Sequence, residues 1–120
     1  MKKILVVEDE EDEAKVITQI LEREGYSSKT VDTVDKAFKE LKTGKYDLVL
    51  LDIILPLKLG NELLVKMKEA KIKTPVIVIT AISDKMTGVK KDLKAINKSI
   101  GFIEKPFDSK TLLKEIRKKI

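Results

Sequence analysis

The sequence predicts an α/β fold in which five parallel strands alternate with helices. Two observations carry this. Five short apolar runs punctuate the 120 residues, and four of them are nearly continuous Ile, Leu, Val or Phe, as expected for parallel strands covered on both faces. Between the runs, apolar residues recur at helical spacing. Strand and helix alternating in this way imply right-handed crossovers and a sheet with helices on both sides. The length suits one domain, 1–120, large enough to bury about two thirds of its unfolded surface.

The predicted strands are Ile4–Val7, Ser27–Val31, Leu48–Leu51, Val76–Ile79 and Ile100–Ile103. Ser27–Val31 is the polar one and reads as an edge strand. The first helix is expected over Asp12–Glu24, stopped by Gly25, and the second over Val34–Lys42, before Gly44. The third runs over Asn61–Ala70, with Leu63, Leu64 and Met67 on one face. A fourth falls within Asp84–Lys98, and the last runs from Ser109 to the end. No linker, repeat or low-complexity segment interrupts them, so the expectation is one compact, stand-alone domain with nothing appended.

Composition narrows the chemistry. The chain has no cysteine and no histidine. This excludes a disulfide framework, a thiol nucleophile, imidazole base catalysis and Cys- or His-ligated metals. A bound metal must be a hard cation held by oxygen, such as magnesium, calcium or manganese. The net charge of +5 is uneven: residues 1–60 carry 10 basic and 13 acidic groups, residues 61–120 carry 15 and 7. That asymmetry suits an acidic site and a separate basic surface. The apolar run after Lys2-Lys3 ends at Glu8, too short for a signal peptide. No stretch approaches the ~20 apolar residues of a membrane span. The expected location is cytoplasmic. Few Asn and Gln beside abundant Lys, Glu and Ile resemble thermophile composition.

In open α/β sheets the site lies beyond the carboxyl ends of the strands. There the chain offers Glu8 and Asp9, then Asp52, Thr80 and Lys105-Pro106. Crowded carboxylates repel unless a cation neutralises them, and magnesium suits such a set. Acidic residues 10–13 read instead as a favourable first helical turn. Asp52 interrupts the most apolar stretch of the chain, where a charge needs a partner or a role. It is a candidate carboxylate nucleophile forming an acyl phosphate, with Lys105 and Thr80 as partners for phosphate oxygens.

These residues carry a resemblance to the receiver domain of two-component response regulators, of the stand-alone, chemotaxis-regulator-like kind. The matching motifs are Ile4-Leu5-Val6-Val7-Glu8-Asp9-Glu10, Asp52-Ile53-Ile54-Leu55-Pro56 with Gly60, Val78-Ile79-Thr80-Ala81, and Phe102-Ile103-Glu104-Lys105-Pro106-Phe107. The resemblance implies a doubly wound, flavodoxin-like (βα)5 fold with strand order 2-1-3-4-5. It implies that Asp52 accepts a phosphoryl group from a phosphohistidine of a sensor histidine kinase or phosphotransfer protein. Mg2+, or Mn2+ in its place, would be held by Asp9, Asp52, the backbone carbonyl of Ile54 and waters, one oriented by Glu8. Thr80 matches the switch hydroxyl, Phe102 the switch aromatic, and Lys105 the phosphate-pairing lysine. A cis bond is expected between Lys105 and Pro106. Such a protein catalyses its own phosphorylation and dephosphorylation and is not a conventional enzyme. The departures are Leu59-Gly60, where the family has Asp-Gly, and Lys98-Ser99, where it commonly has Gly-Ala.

Two surfaces follow. Ala14, Val16, Ile17, Ile20 and Leu21 span about 160° of the first helix, wider than the roughly 100° of a core stripe. One edge is thus expected to stay exposed, with a fully buried helix as the alternative, and the resemblance, in a family that docks its kinase partly through this helix, makes that edge a candidate docking patch. Lys90, Lys91, Lys94 and Lys98 join the basic residues of the last helix on the face that, by the resemblance, carries output, and their charge suits an acidic partner. No recognition helix or stacking platform marks specific nucleic-acid binding. The expected assembly is a monomer or a weak phosphorylation-dependent dimer. A degenerate receiver serving only as an interaction module is the main alternative. A haloacid-dehalogenase-like hydrolase lacks its Asp-x-Asp, and a nucleotide-binding fold lacks its glycine loop. Ile54 and Ile82 occupy the two positions that tune phosphoryl hydrolysis in the family, and isoleucine cannot orient an attacking water. Slow self-dephosphorylation is therefore expected, and Ile54→Asn should speed decay of the acyl phosphate, followed by loss of label in magnesium buffer.

Overall fold

The structure, a computed structural model, describes residues 2–53, 58–80 and 93–120, excepting the side chains of 53, 58–61 and 80. The strands are β1 (Lys3–Val7), β2 (Ser27–Val31), β3 (Leu48–Ile53), β4 (Val76–Thr80) and β5 (Gly101–Glu104). The helices are α1 (Glu11–Arg23), α2 (Val34–Leu41), α3 (Lys58–Glu69) and α5 (Ser109–Lys119). A helical turn over 93–96 is labelled α4. The rest of the expected fourth helix lies outside the described residues.

All strand pairs are parallel, and the sheet order is β2-β1-β3-β4-β5. This is the doubly wound arrangement the sequence predicts. The polar β2 is an edge, as its composition requires. β3 is longer than expected and includes Asp52, because its ladder with β4 continues through Asp52 and Ile53. α3 starts three residues before the expected Asn61.

The period of two sorts side chains onto two faces. Ile4, Val6, Leu48, Leu50, Ile77 and Ile79 pack with Ile17 and Leu21 of α1 and Leu112 and Ile116 of α5. Leu5, Val7, Val49, Leu51, Val76 and Val78 pack with Ala37, Leu41, Leu63, Leu64, Met67 and Leu93 of α2, α3 and α4. Strands buried on both sides explain the unbroken apolar runs.

Local signals fix the helix ends. Thr33 caps α2, its hydroxyl accepting from Lys36 N at 3.1 Å. Asp108 caps α5 by accepting from Thr111 N at 2.7 Å. Before β5, the Asn97 side chain accepts from Ser99 N at 3.1 Å and from Ser99 Oγ at 3.0 Å. This bond set turns the chain at Lys98-Ser99. After α1 and α2 the chain takes the left-handed conformation at Gly25 (φ 84°) and Gly44 (φ 73°). After α3 the same role falls to Lys71 (φ 58°), where a Cβ costs roughly 1–2 kcal/mol. Lys71→Gly should therefore raise the unfolding free energy measured in urea, by up to about 1 kcal/mol once glycine's added freedom in the unfolded chain is deducted. Gly25→Ala should lower it by about 1 kcal/mol, since a Cβ there meets nothing within 4 Å and the cost is conformational only.

Candidate functional site

The site lies at the carboxyl edge of the sheet, where register and pleat bring distant residues together. Val7 of β1 pairs with Leu51 of β3, so Glu8 and Asp52 follow side by side. Both continue the pleat of Ile4, Val6, Leu48 and Leu50 and so belong to the face covered by α1 and α5. Glu8 remains tied to the sheet through its backbone, which donates to Val31 O at 2.9 Å. Lys105 follows β5 and approaches the same face.

Glu8 and Asp52 are the buried charged residues among those described, 3% and 4% exposed. Lys105 Nζ lies 2.6 Å from Asp52 Oδ2 and 2.5 Å from Glu13 Oε2. Glu8 Oε1 accepts from Glu10 N at 2.8 Å. Glu8 Oε2 and Asp52 Oδ1 are buried without a hydrogen-bond partner among the described residues. Glu8, Glu13 and Asp52 each offer a carboxylate oxygen, all within 4.8 Å of one another. Three carboxylates thus face one ammonium.

Burial, with Asp52 beside it, pushes Glu8 up to about 9. Burial also raises Asp52, opposed by its contacts with Glu8 and Lys105. At Glu13 burial acts upward, but the Lys105 ammonium outweighs it and holds the carboxyl low. Lys105 is held high, because Asp52 and Glu13 outweigh the cost of its burial. The two orphaned, buried oxygens and the all-oxygen donor set fit a hard divalent cation.

The structure brings together Glu8, Asp52 and Lys105 of the residues singled out from sequence. Asp9 is exposed and is not one of the three grouped carboxylates. Thr80 ends β4, pairing with Ile53 and Glu104 across the sheet; its side chain, Ile54 and Ile82 lie outside the described residues. Phe102 is partly buried against the core on the far face, with Lys94 Nζ 5.8 Å from its ring centroid. The Lys105–Pro106 bond is cis, and Pro106 is exposed.

Glu13 is the residue that sequence reading assigned to a helical turn alone. A signal for it existed. Glu13 precedes Ile17 and Leu21 at four-residue spacing, which places a carboxylate inside the apolar arc of α1. Val16, at the edge of that arc, is 55% exposed, so the helix does present an uncovered apolar edge.

The response regulator receiver domain family matches residues 4–117. The chain belongs to this family, the phosphoacceptor domains of two-component signalling. It is 42% identical over 118 residues to the transcriptional regulatory protein DltR of Streptococcus agalactiae, covering 96% of this chain and 50% of that protein. Its identity to the uncharacterized transcriptional regulatory protein YkoG of Bacillus subtilis is 40% over 117 residues, 95% of this chain and 49% of that one. The chain thus spans about half the length of these relatives. Among solved structures, the response regulator TrrA of Thermotoga maritima in complex with Mg(2+)-BeF is 28% identical with a TM-score of 0.83, each chain covered in full. The Vibrio cholerae chemotaxis protein CheY4 shares the fold at a TM-score of 0.87 and 24% identity, with 100% and 99% coverage. No helix among the described residues is long and apolar enough to cross a membrane.

The raised Glu8 predicts a pH dependence. Its ordinary value of 4.5 rises to about 9 in the fold, so the folded state holds this proton more tightly than the unfolded chain. The stability from protonated Glu8 is present below its ordinary value and is lost as pH rises through the folded one. In chelator-treated protein, urea stability should fall between about pH 5 and about pH 9 more steeply for wild type than for Glu8→Gln, by at least about 1 kcal/mol over that range. Equal slopes for the two proteins would refute the assignment.

Proposed function

We propose that Asp52 is the phosphoacceptor of this receiver domain and that Lys105 is the cation that receives the incoming phosphoryl group. The observation supporting this most directly is a buried aspartate in contact with a lysine at 2.6 Å, beside further carboxylates at a sheet edge. A carboxylate oxygen of Asp52 attacks the phosphorus of a phosphohistidine. The new P–O bond forms as the P–N bond breaks, and the imidazole leaves with the electron pair and takes up a proton. The Lys105 ammonium, already within reach of Asp52, pairs with a phosphoryl oxygen and offsets the charge that collects there. Burial of Asp52 among apolar strands excludes bulk water and strengthens that pairing.

Mg2+, or Mn2+, is the cofactor this donor set suits; when bound it neutralises the carboxylates and draws charge from the transferring group. Glu8, Asp52 and the expected ligands Asp9 and Ile54 O would hold it. Thr80 and Phe102 are assigned the switch role, the hydroxyl moving toward the phosphoryl group and the aromatic following, a shift between two packings.

The donor is a sensor histidine kinase or histidine phosphotransfer protein in the cytoplasm, and the exposed Val16 edge of α1 is assigned to docking it. The output surface is formed by α4, β5 and α5. Part of its positive charge is satisfied within the chain, Arg117 by Glu24 and Lys118 by Glu115; the remainder suits an acidic partner. The names of the longer relatives favour a transcriptional output for a protein built on this domain. The degenerate-module alternative is not favoured, because Asp52 and Lys105 are intact and in contact.

Incubation with acetyl phosphate and magnesium should give an acid-stable, base-labile adduct on wild type and none on Asp52→Ala. A stable adduct elsewhere, or labelling of Asp52→Ala at the wild-type level, would overturn the assignment of Asp52.

A further inference from the structure

Glu13 corresponds to none of the strand-end motifs, yet it stands in the pocket. It lies in the first turn of α1, its side chain 39% exposed. Its Oε2 holds the same Lys105 ammonium that contacts Asp52. Oxygens of Glu8, Glu13 and Asp52 lie within 4.8 Å of one another, the separation expected of ligands each 2.0–2.6 Å from one hard cation. Proximity of acids alone would not make a site. Here two oxygens in the group, Glu8 Oε2 and Asp52 Oδ1, are buried and have no hydrogen-bond partner among the described residues. They belong to side chains at least nine-tenths buried. Such atoms call for a positive ligand.

We propose that Glu13 is a ligand of the divalent cation at this site, a further side-chain carboxylate beside Glu8, Asp52 and the expected Asp9. This rests on the reading of the pocket as a cation site and specifies it further. A carboxylate has two oxygens with several lone pairs, so Glu13 serves the cation with one while Oε2 keeps Lys105. One side chain then joins the cation to the phosphoryl-pairing ammonium. The geometry favours Glu at this position over Asp. The carboxylate must cross from the helix to the sheet edge, and one methylene fewer leaves it short of both partners.

The test is cation affinity, which does not depend on phosphoryl transfer. Mg2+ binding is measured by calorimetry and Mn2+ binding by electron paramagnetic resonance, on wild type, Glu13→Gln, Glu13→Asp and the exposed control Glu11→Gln. Thermal unfolding verifies that each variant is folded, and the half-exposed position makes folding of the variants the expected result. Glu13→Gln should weaken binding roughly tenfold or more. Glu13→Asp, which keeps the charge and loses the reach, should weaken it comparably, while Glu11→Gln should match wild type. Wild-type affinity in Glu13→Asp would show that Glu13 acts only through its charge and would overturn ligation. Wild-type affinity in Glu13→Gln would overturn any role of Glu13 in binding. Absence of binding in wild type would overturn the cation reading itself, and this inference with it.

Discussion

Two buried carboxylates, one of them in contact with an ammonium, are the constraint on which the rest of the structure depends. Glu8 and Asp52 are almost wholly removed from water, and an unpaired buried charge costs several kcal/mol. The Lys105–Asp52 contact offsets part of that cost, and proton uptake by Glu8 offsets more, as its upward shift shows. With both carboxylates ionised, Glu8 Oε2 and Asp52 Oδ1 have no hydrogen-bond partner among the described residues. A fold that only needed stability would place leucine at these positions, as it does at Leu50 and Leu51. Retaining the carboxylates leaves the pocket with a standing demand for positive charge.

The sheet meets this constraint by register. Because β1 and β3 are neighbours and Val7 pairs with Leu51, Glu8 and Asp52 fall next to each other and on the same face. Because α1 covers that face, Glu13 arrives from the helix, while Lys105 arrives from the segment that follows β5. A one-residue slip of β3 would send Asp52 to the opposite face. Both faces of the strands are buried, so the covering helices are part of the site's geometry and not merely its support.

Much of this was legible in the sequence. The strands declared themselves as apolar runs, and the ends of α1 and α2 were marked by Gly25 and Gly44. Asp52 stood out as a charge with no reason to be among leucines. The misreadings were local. The strand around Asp52 was ended too early, because a charged residue interrupts an apolar run even where the hydrogen-bond ladder continues. Glu13 was read as helix-dipole chemistry because it sits in an acidic run, where charge count hides position. Its partner Lys105 is 92 residues away, and only the fold states that separation as a contact of 2.5 Å. The turn at Lys98-Ser99 depends on the Asn97 side chain, which no glycine signal announces.

The charge of the pocket also sets an order of events. Three carboxylates against one ammonium make the pocket negative when the carboxylates are ionised, so an approaching phosphoryl group meets repulsion at short range. Burial favours a proton on Glu8, and a proton there competes with a cation for the same oxygens. Cation binding and proton release are therefore opposed uses of the same side chain. The chain carries excess positive charge elsewhere, in its second half, which attracts an anionic donor at long range without relieving the pocket itself. Steering and reception are thus handled by separate parts of the surface.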